Sequence, residues 1–157
     1  MPPPAPDGQK PYCPITTHVL DTSVGRPASG LLVNLALEYP NIAGPWGSAS
    51  PRFMAVTDVD GRIMRWTPLG GPSMEEVVDI FSRDRTRRAE WILRFHTGDY
   101  YGVEKTMFPA VEVSLSVENW EAADMDRESR GEEWKMKRKY HVPLLLGPWS
   151  YSVYRGS

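Results

Sequence analysis

The sequence predicts an all-β sandwich of eight short antiparallel strands with one short helix, on three observations. Apolar residues alternate with polar ones at period two in several segments. Gly, Pro and Asp punctuate the chain between those segments. One stretch alone combines helical spacing with a helix start signal. The 157 residues are one domain in size. Hydrophobic residues at 41% and charged residues at 24% are ordinary globular usage, which excludes disorder along the whole length. A formal net charge of -2 argues against a nucleic-acid partner. Cys13 is the single cysteine, so neither an intramolecular disulfide nor a cysteine-built zinc site is expected. The longest apolar runs, such as Leu144-Leu145-Leu146, are far too short to span a membrane. The opening MPPPAPDGQK has no apolar core of a secretory signal. These features describe a soluble, intracellular chain of one domain.

In order along the chain, residues 1–13 contain Pro2, Pro3, Pro4, Pro6 and Pro11 and read as a mobile tail. The domain then occupies 14–157. Ile15–Leu20 is the first strand candidate. Leu31, Val33, Leu35 and Leu37 alternate along a second. Residues 40–51 (PNIAGPWGSASP) form a loop insertion. Arg52–Val56, Arg62–Thr67 and Trp91–Phe95 are further strands. Val111, Val113, Leu115 and Val117 alternate with Glu112, Ser114, Ser116 and Glu118, the pattern of a strand with one buried and one wet face. His141–Leu146 and Ser150–Arg155 complete the eight. Turns fall at Gly25-Arg26-Pro27, Asp58–Gly61, Gly98-Asp99 and Gly147-Pro148.

The helix starts at Ser73, an N-cap with Glu76 three residues on, followed by Met74, Val77, Val78 and Phe81 at helical spacing. Four arginines between Arg83 and Arg88 read as a solvated helix end. The helix and its surroundings, 70–89, form a second insertion. A third is 119–139, where twelve of the nineteen residues from 121 onward are charged, and this reads as an exposed hairpin extension or loop.

The candidate chemistry is sparse. The histidines are His18, His96 and His141. His18 shares the strand phase of Thr16 and Leu20, opposite Ile15, Thr17 and Val19, and alternation does not say which face is buried. Taken singly, each histidine reads as structural, and His96, before a Gly turn, most plainly so. No two histidines have a short ligand spacing, and neither a nucleophile elbow nor a phosphate loop is present. No metal and no cofactor is expected. Arg62 follows the turn VTDVDG and, on composition alone, is a surface arginine. The chain ends Tyr154-Arg155-Gly156-Ser157 directly after a strand candidate, which places a tyrosine, an arginine, a serine hydroxyl and the α-carboxylate at a strand end.

Four segments together resemble the 5-hydroxyisourate hydrolases, the enzyme branch of the transthyretin-like family. They are ITTHVLDTSVGRPASGL, TDVDGR, FPAVEVSLSVE and YHVPLLLGPWSYSVYRGS. The terminal YRGS marks the hydrolases; the hormone-carrier branch shares the fold and lacks that ending. The resemblance implies a transthyretin-like sandwich and a homotetramer with active sites in a channel between dimers. It implies hydrolysis of 5-hydroxyisourate, opening the six-membered ring at its N1–C6 amide-like bond in urate breakdown. The product would be 2-oxo-4-hydroxy-4-carboxy-5-ureidoimidazoline. By the same resemblance His18, Arg62, His141 and Ser157 are catalytic, and His18, Arg62, Tyr154 and Arg155 contact substrate. The alternative is a non-catalytic small-ligand carrier on the same fold. Gly147 stands where the family commonly has serine, and Trp149 near a small residue, so the channel rim differs. The cytoplasm and the peroxisome both suit urate breakdown, although Arg155-Gly156-Ser157 is not the peroxisomal S-K-L signal.

Overall fold

A computed structural model of the chain describes residues 14–84, 88–118, 125–126, 135–136 and 140–157. The expected tail, 1–13, and most of the charged stretch 119–139 lie outside the described residues.

The strands are β1 (Ile15–Asp21), β2 (Arg26–Pro27), β3 (Leu32–Tyr39), β4 (Arg52–Val56), β5 (Arg62–Ile63), β6 (Thr67–Pro68), β7 (Arg88–Phe95), β8 (Val111–Glu118), β9 (Met125–Asp126), β10 (Lys135–Met136), β11 (Tyr140–Leu146) and β12 (Tyr151–Val153). The helices are α1 (Met74–Asp84) and α2 (Thr97–Tyr101), with a 3₁₀ turn at Val103–Lys105. Two five-stranded sheets form the sandwich. One runs β12-β11-β1-β2, with β5 also on β1, and the other β6-β4-β3-β7-β8. The pair β9–β10 is antiparallel, with Lys135 opposite Asp126. No helix among the described residues is long and apolar enough to cross a membrane.

The period-two pattern decides which residues meet between the sheets. Val33, Leu35 and Leu37 of β3, Trp91, Leu93 and Phe95 of β7, and Val111 and Val117 of β8 are all buried. Ile15, Thr17 and Val19 of β1 face the same core and are fully buried, as are Leu144 and Leu146 of β11. The alternation thereby assigns Thr16, His18 and Leu20 to the outer face of the first sheet.

Three features depart from the local expectations. β1 and β11 pair in parallel over seven rungs, from Ile15 opposite Tyr140 to Asp21 opposite Leu146. These strands lie at opposite ends of the chain, so no hairpin joins them and no local pattern reports their direction. The expected strand 62–67 divides: Arg62–Ile63 pairs with β1 and Thr67–Pro68 with β4, so the segment crosses between sheets. Trp66 closes that corner, its indole N–H donating to the Ile15 carbonyl at 2.7 Å. Gly98-Asp99, expected as a turn, lies within the five-residue helix α2, too short for a helical period to register in sequence.

α1 starts as its cap predicts. The Glu76 N–H donates to Ser73 Oγ at 3.1 Å and the Ser73 N–H to Glu76 Oε1 at 3.5 Å. Met74, Val77, Val78 and Phe81 are buried beneath it. Of the arginine run, Arg88 opens β7 instead of ending the helix and pairs with Glu90 at 2.5 Å.

Asp21, 3% exposed at the end of β1, ties the first sheet to α2. Its carboxylate accepts from the hydroxyls of Tyr100 and Tyr101, each at 2.9 Å, and from Ser23 Oγ at 2.5 Å and N–H at 3.0 Å. Burial alone would raise the Asp21 carboxyl, but these donors outweigh it and hold the group below its ordinary value. Burial and the neighbouring carboxylate push Tyr100 up to about 12 and raise Tyr101 as well.

Candidate active site

The ladder around β1 brings three distant residues to one surface. Thr16 stands opposite His141 in the parallel β1–β11 pair, and His18 stands opposite Arg62 in the antiparallel β1–β5 pair. Residues opposite one another share a face of the sheet. Since Ile15, Thr17 and Val19 point inward, His18, Arg62 and His141 emerge on the outer face. His18 and His141 are half-buried there, and Arg62 is exposed.

The turn TDVDGR explains how Arg62 is held. Asp58 Oδ1 accepts from the N–H groups of Asp60 and Arg62, both at 2.9 Å, and the Asp58 N–H donates to the Arg62 carbonyl at 3.0 Å. Gly61 has φ +72°, and a Cβ there would lie 2.3 Å from the Val19 carbonyl oxygen. Glycine is thus required both for the conformation and for the close approach to β1. The Val19 N–H, in return, donates to the Gly61 carbonyl at 2.8 Å, locking the turn to the strand that carries His18.

The end of the chain returns along β11. After β12, the Gly156 N–H donates to the His141 carbonyl at 2.8 Å. A Cβ on Gly156 would lie 2.5 Å from His141 Cδ2 and 3.0 Å from Pro143 Cγ. The backbone at 156 therefore lies directly against the His141 ring. Tyr154, Arg155 and Ser157 are exposed beside it. The Arg155 guanidinium sits 5.1 Å from the centroid of the Tyr140 ring.

His141 Nδ1 lies 2.8 Å from Thr16 Oγ1, within hydrogen-bond distance. Burial lowers the His141 value below the ordinary histidine range, and the nearby Arg62 and His18 lower it further. His141 is therefore neutral at neutral pH, with a cation beside it. A neutral imidazole can accept or pass a proton, and a guanidinium can hold a developing oxyanion.

The structure thus brings together His18, Arg62, His141 and the 154–157 segment. It places His96 just past β7 at the edge of the other sheet, where Nε2 pairs with Asn34 Oδ1 and Nδ1 lies 4.0 Å from Asp99. Two contacts with His141 had no counterpart in the sequence reading, Thr16 and Gly156. Thr16 was detectable in part, since it shares the phase of His18.

A two-sheet β-sandwich with two histidines and an arginine on one outer face defines a β-sandwich ligand site equipped for proton transfer. The chain belongs to the HIUase/Transthyretin family, whose sequence model matches residues 15–126 and 131–156. It is 36% identical over 146 residues to 5-hydroxyisourate hydrolase 2 of Rhizobium meliloti, covering 91% of this chain and 95% of that one. It is 31% identical over 149 residues to the 5-hydroxyisourate hydrolase of Halalkalibacterium halodurans, covering 91% and 97%. The fold is also that of Klebsiella pneumoniae 5-hydroxyisourate hydrolase, with TM-score 0.53, 23% identity and coverage of 91% and 98%. Sea bream transthyretin in complex with thyroxine shares it too, with TM-score 0.57, 18% identity and coverage of 92% and 95%.

Proposed function

We propose that this protein hydrolyses 5-hydroxyisourate, opening the six-membered ring at the N1–C6 bond to give 2-oxo-4-hydroxy-4-carboxy-5-ureidoimidazoline. The observation that carries the reading is the convergence of His18, Arg62 and His141 on one sheet face, against the chain end that YRGS forms. Relatives named as 5-hydroxyisourate hydrolases match over nine-tenths of the chain, which supports the same reading.

The chemistry follows from the groups. Water attacks the C6 carbonyl carbon, and negative charge grows on its oxygen. Arg62, always charged and forked, holds that oxygen and orients the ring. His18 and His141 divide the remaining work, one holding the water and the other moving its proton. Ser157 hydrogen-bonds the water or the ring, and Tyr154 and Arg155 contact the substrate from the chain end. The assembly is a homotetramer whose channel between dimers is lined by these outer faces. Cytoplasm or peroxisome is the compartment that suits the reaction.

The test is turnover. Urate oxidase generates 5-hydroxyisourate in place, and its ultraviolet absorbance is followed with no protein, with the native chain and with His141→Ala. Faster decay with the native chain, lost in the variant, is the expected result. Decay at the spontaneous rate with a well-folded native protein would overturn the proposal in favour of a ligand carrier.

A further inference from the structure

Thr16 and Thr17 are adjacent in sequence and opposite in role. Thr17 points into the core, and its hydroxyl donates to the Val142 carbonyl at 2.6 Å. Thr16 points out, is 5% exposed, and places its hydroxyl 2.8 Å from His141 Nδ1. Among the described residues that nitrogen is its one hydrogen-bond partner. The hydroxyl has a proton to place. If it accepted from a protonated Nδ1, its own O–H would be left unpaired in a buried position, which loses more than the hydrogen bond returns. If it donates to a bare Nδ1, both groups are satisfied and the imidazole proton sits on Nε2.

We propose that Thr16 is a positioning residue that holds His141 as its Nε2–H tautomer, so that His141 donates to the substrate carbonyl in place of holding the water, and His18 alone takes the water proton. The inference rests on the hydrolase reading above. The ladder makes the arrangement rigid, because Thr16 and His141 share one rung of seven. Nε2 faces no hydrogen-bond partner among the described residues and is free for a ligand. The rungs on either side of β1 set His141 opposite Thr16 and Arg62 opposite His18, which brings all three groups to one face. The steps then balance. His18 removes a proton from water as the oxygen bonds to C6. The oxyanion is held by Arg62 and the His141 Nε2–H, the use of a neutral imidazole as a donor. Collapse breaks C6–N1, and N1 takes the proton that His18 carried. The oxygen of water ends on the new carboxyl group and its proton on nitrogen.

The experiment uses the full chain. Histidine ¹⁵N spectra at neutral pH, with the three histidines assigned by His18→Gln and His96→Gln variants, report the tautomer of His141 directly. The same spectra and steady-state turnover are then recorded for Thr16→Val and Thr16→Ser. The expected result is an Nε2–H tautomer in the native chain with Nδ1 as a hydrogen-bonded acceptor. In Thr16→Val the Nδ1 signal should move to its free position while kcat falls about tenfold at nearly constant KM, and Thr16→Ser should restore both. A native His141 protonated at Nδ1 overturns the proposal, with no variant needed. So does a Thr16→Val variant in which only one of the two readouts moves, or neither. If the native chain leaves 5-hydroxyisourate at its spontaneous decay rate, the hydrolase reading falls and the catalytic half of this proposal with it. An active native enzyme with the wrong tautomer removes the Thr16 assignment alone.

Discussion

Gly156→Ala adds one methyl group where the 154–157 segment meets His141. The new Cβ would lie 2.5 Å from His141 Cδ2, 3.0 Å from Pro143 Cγ and 3.2 Å from Pro143 Cδ. Carbon atoms prefer about 3.5–4.0 Å, so the ring and the backbone must separate by about 1 Å. Pro143 is buried in β11 and cannot yield. Either the His141 ring turns away from Thr16, or the 156–157 segment lifts and loses its 2.8 Å bond to the His141 carbonyl. Both outcomes misplace a group of the site by about that 1 Å, an error that costs on the order of 100-fold in rate. The loss of stability is confined to one terminal hydrogen bond, about 1 kcal/mol. The assay is turnover of enzymatically generated 5-hydroxyisourate beside a thermal melt, with Gly71→Ala as control. A Cβ on Gly71 meets nothing within 4 Å, so that variant should match the native chain in both. Activity of Gly156→Ala within about twofold of native would refute the reasoning, because the chain end would then not constrain His141.

Three other perturbations follow from the same geometry. Asp21→Asn should lower stability by about 2 kcal/mol, since the carboxylate serves two tyrosines and Ser23. The folded Asp21 value lies below its ordinary 3.8, so the contribution is complete above that pH and is lost as the pH falls through the folded value. Urea unfolding should therefore show a gap between native and variant that is constant above about pH 5 and shrinks in strong acid; a gap that widens on acidification would contradict this. His141 has the same sign in a higher pH interval: its folded value is depressed below 6.5, so the folded chain resists protonation that the unfolded chain accepts, and stability declines as the pH falls through that interval. An NMR titration should place the His141 midpoint below 6.5 and move it upward in Arg62→Gln, and an unmoved midpoint would show that Arg62 does not act on it. Gly61→Ala faces both a φ of +72° and a 2.3 Å approach to the Val19 carbonyl. It should cost about 1–3 kcal/mol and most of the activity through Arg62, and a fully active variant would break the link between the turn and the site.

Much of the fold was legible because it depends on local repetition. Val111, Val113, Leu115 and Val117 announce β8 by alternation, and Ser73 with Glu76 announces α1 by its cap. The parallel pairing of β1 with β11 was not legible, since it joins residues about 125 positions apart and depends on the whole topology. The division of 62–67 between two sheets was hidden for a related reason: Trp66 is anchored by the Ile15 carbonyl, a partner fifty-one residues away. The site residues came from motif resemblance, because a lone histidine on a strand does not reveal its neighbours. Alternation grouped Thr16 with His18, but it could not say which of the two phases faced the core. That decision belongs to Ile15 and Val19, which the sandwich buries completely.

The same two-residue period separates folding from chemistry along β1, and its adjacent threonines provide the sharpest test. Thr17 is fully buried, and its hydroxyl serves a backbone carbonyl of β11. Replacing it by valine keeps the shape and removes the hydroxyl that donates to the Val142 carbonyl, a loss of about 1–2 kcal/mol. For a chain of this size that lowers the melting temperature by about 2–8 °C. Nothing on the outer face is touched, so kcat should stay at the native level. Thr16→Val removes a hydroxyl of the same type one residue away, and there the loss should fall on turnover, since the partner is His141 Nδ1 and not the backbone. Melts and turnover measured on both variants form a crossed design. If the two substitutions depress stability and turnover in the same proportion, the inner and outer faces are not independent, and His141 would owe its placement to the packing of the strand as a whole.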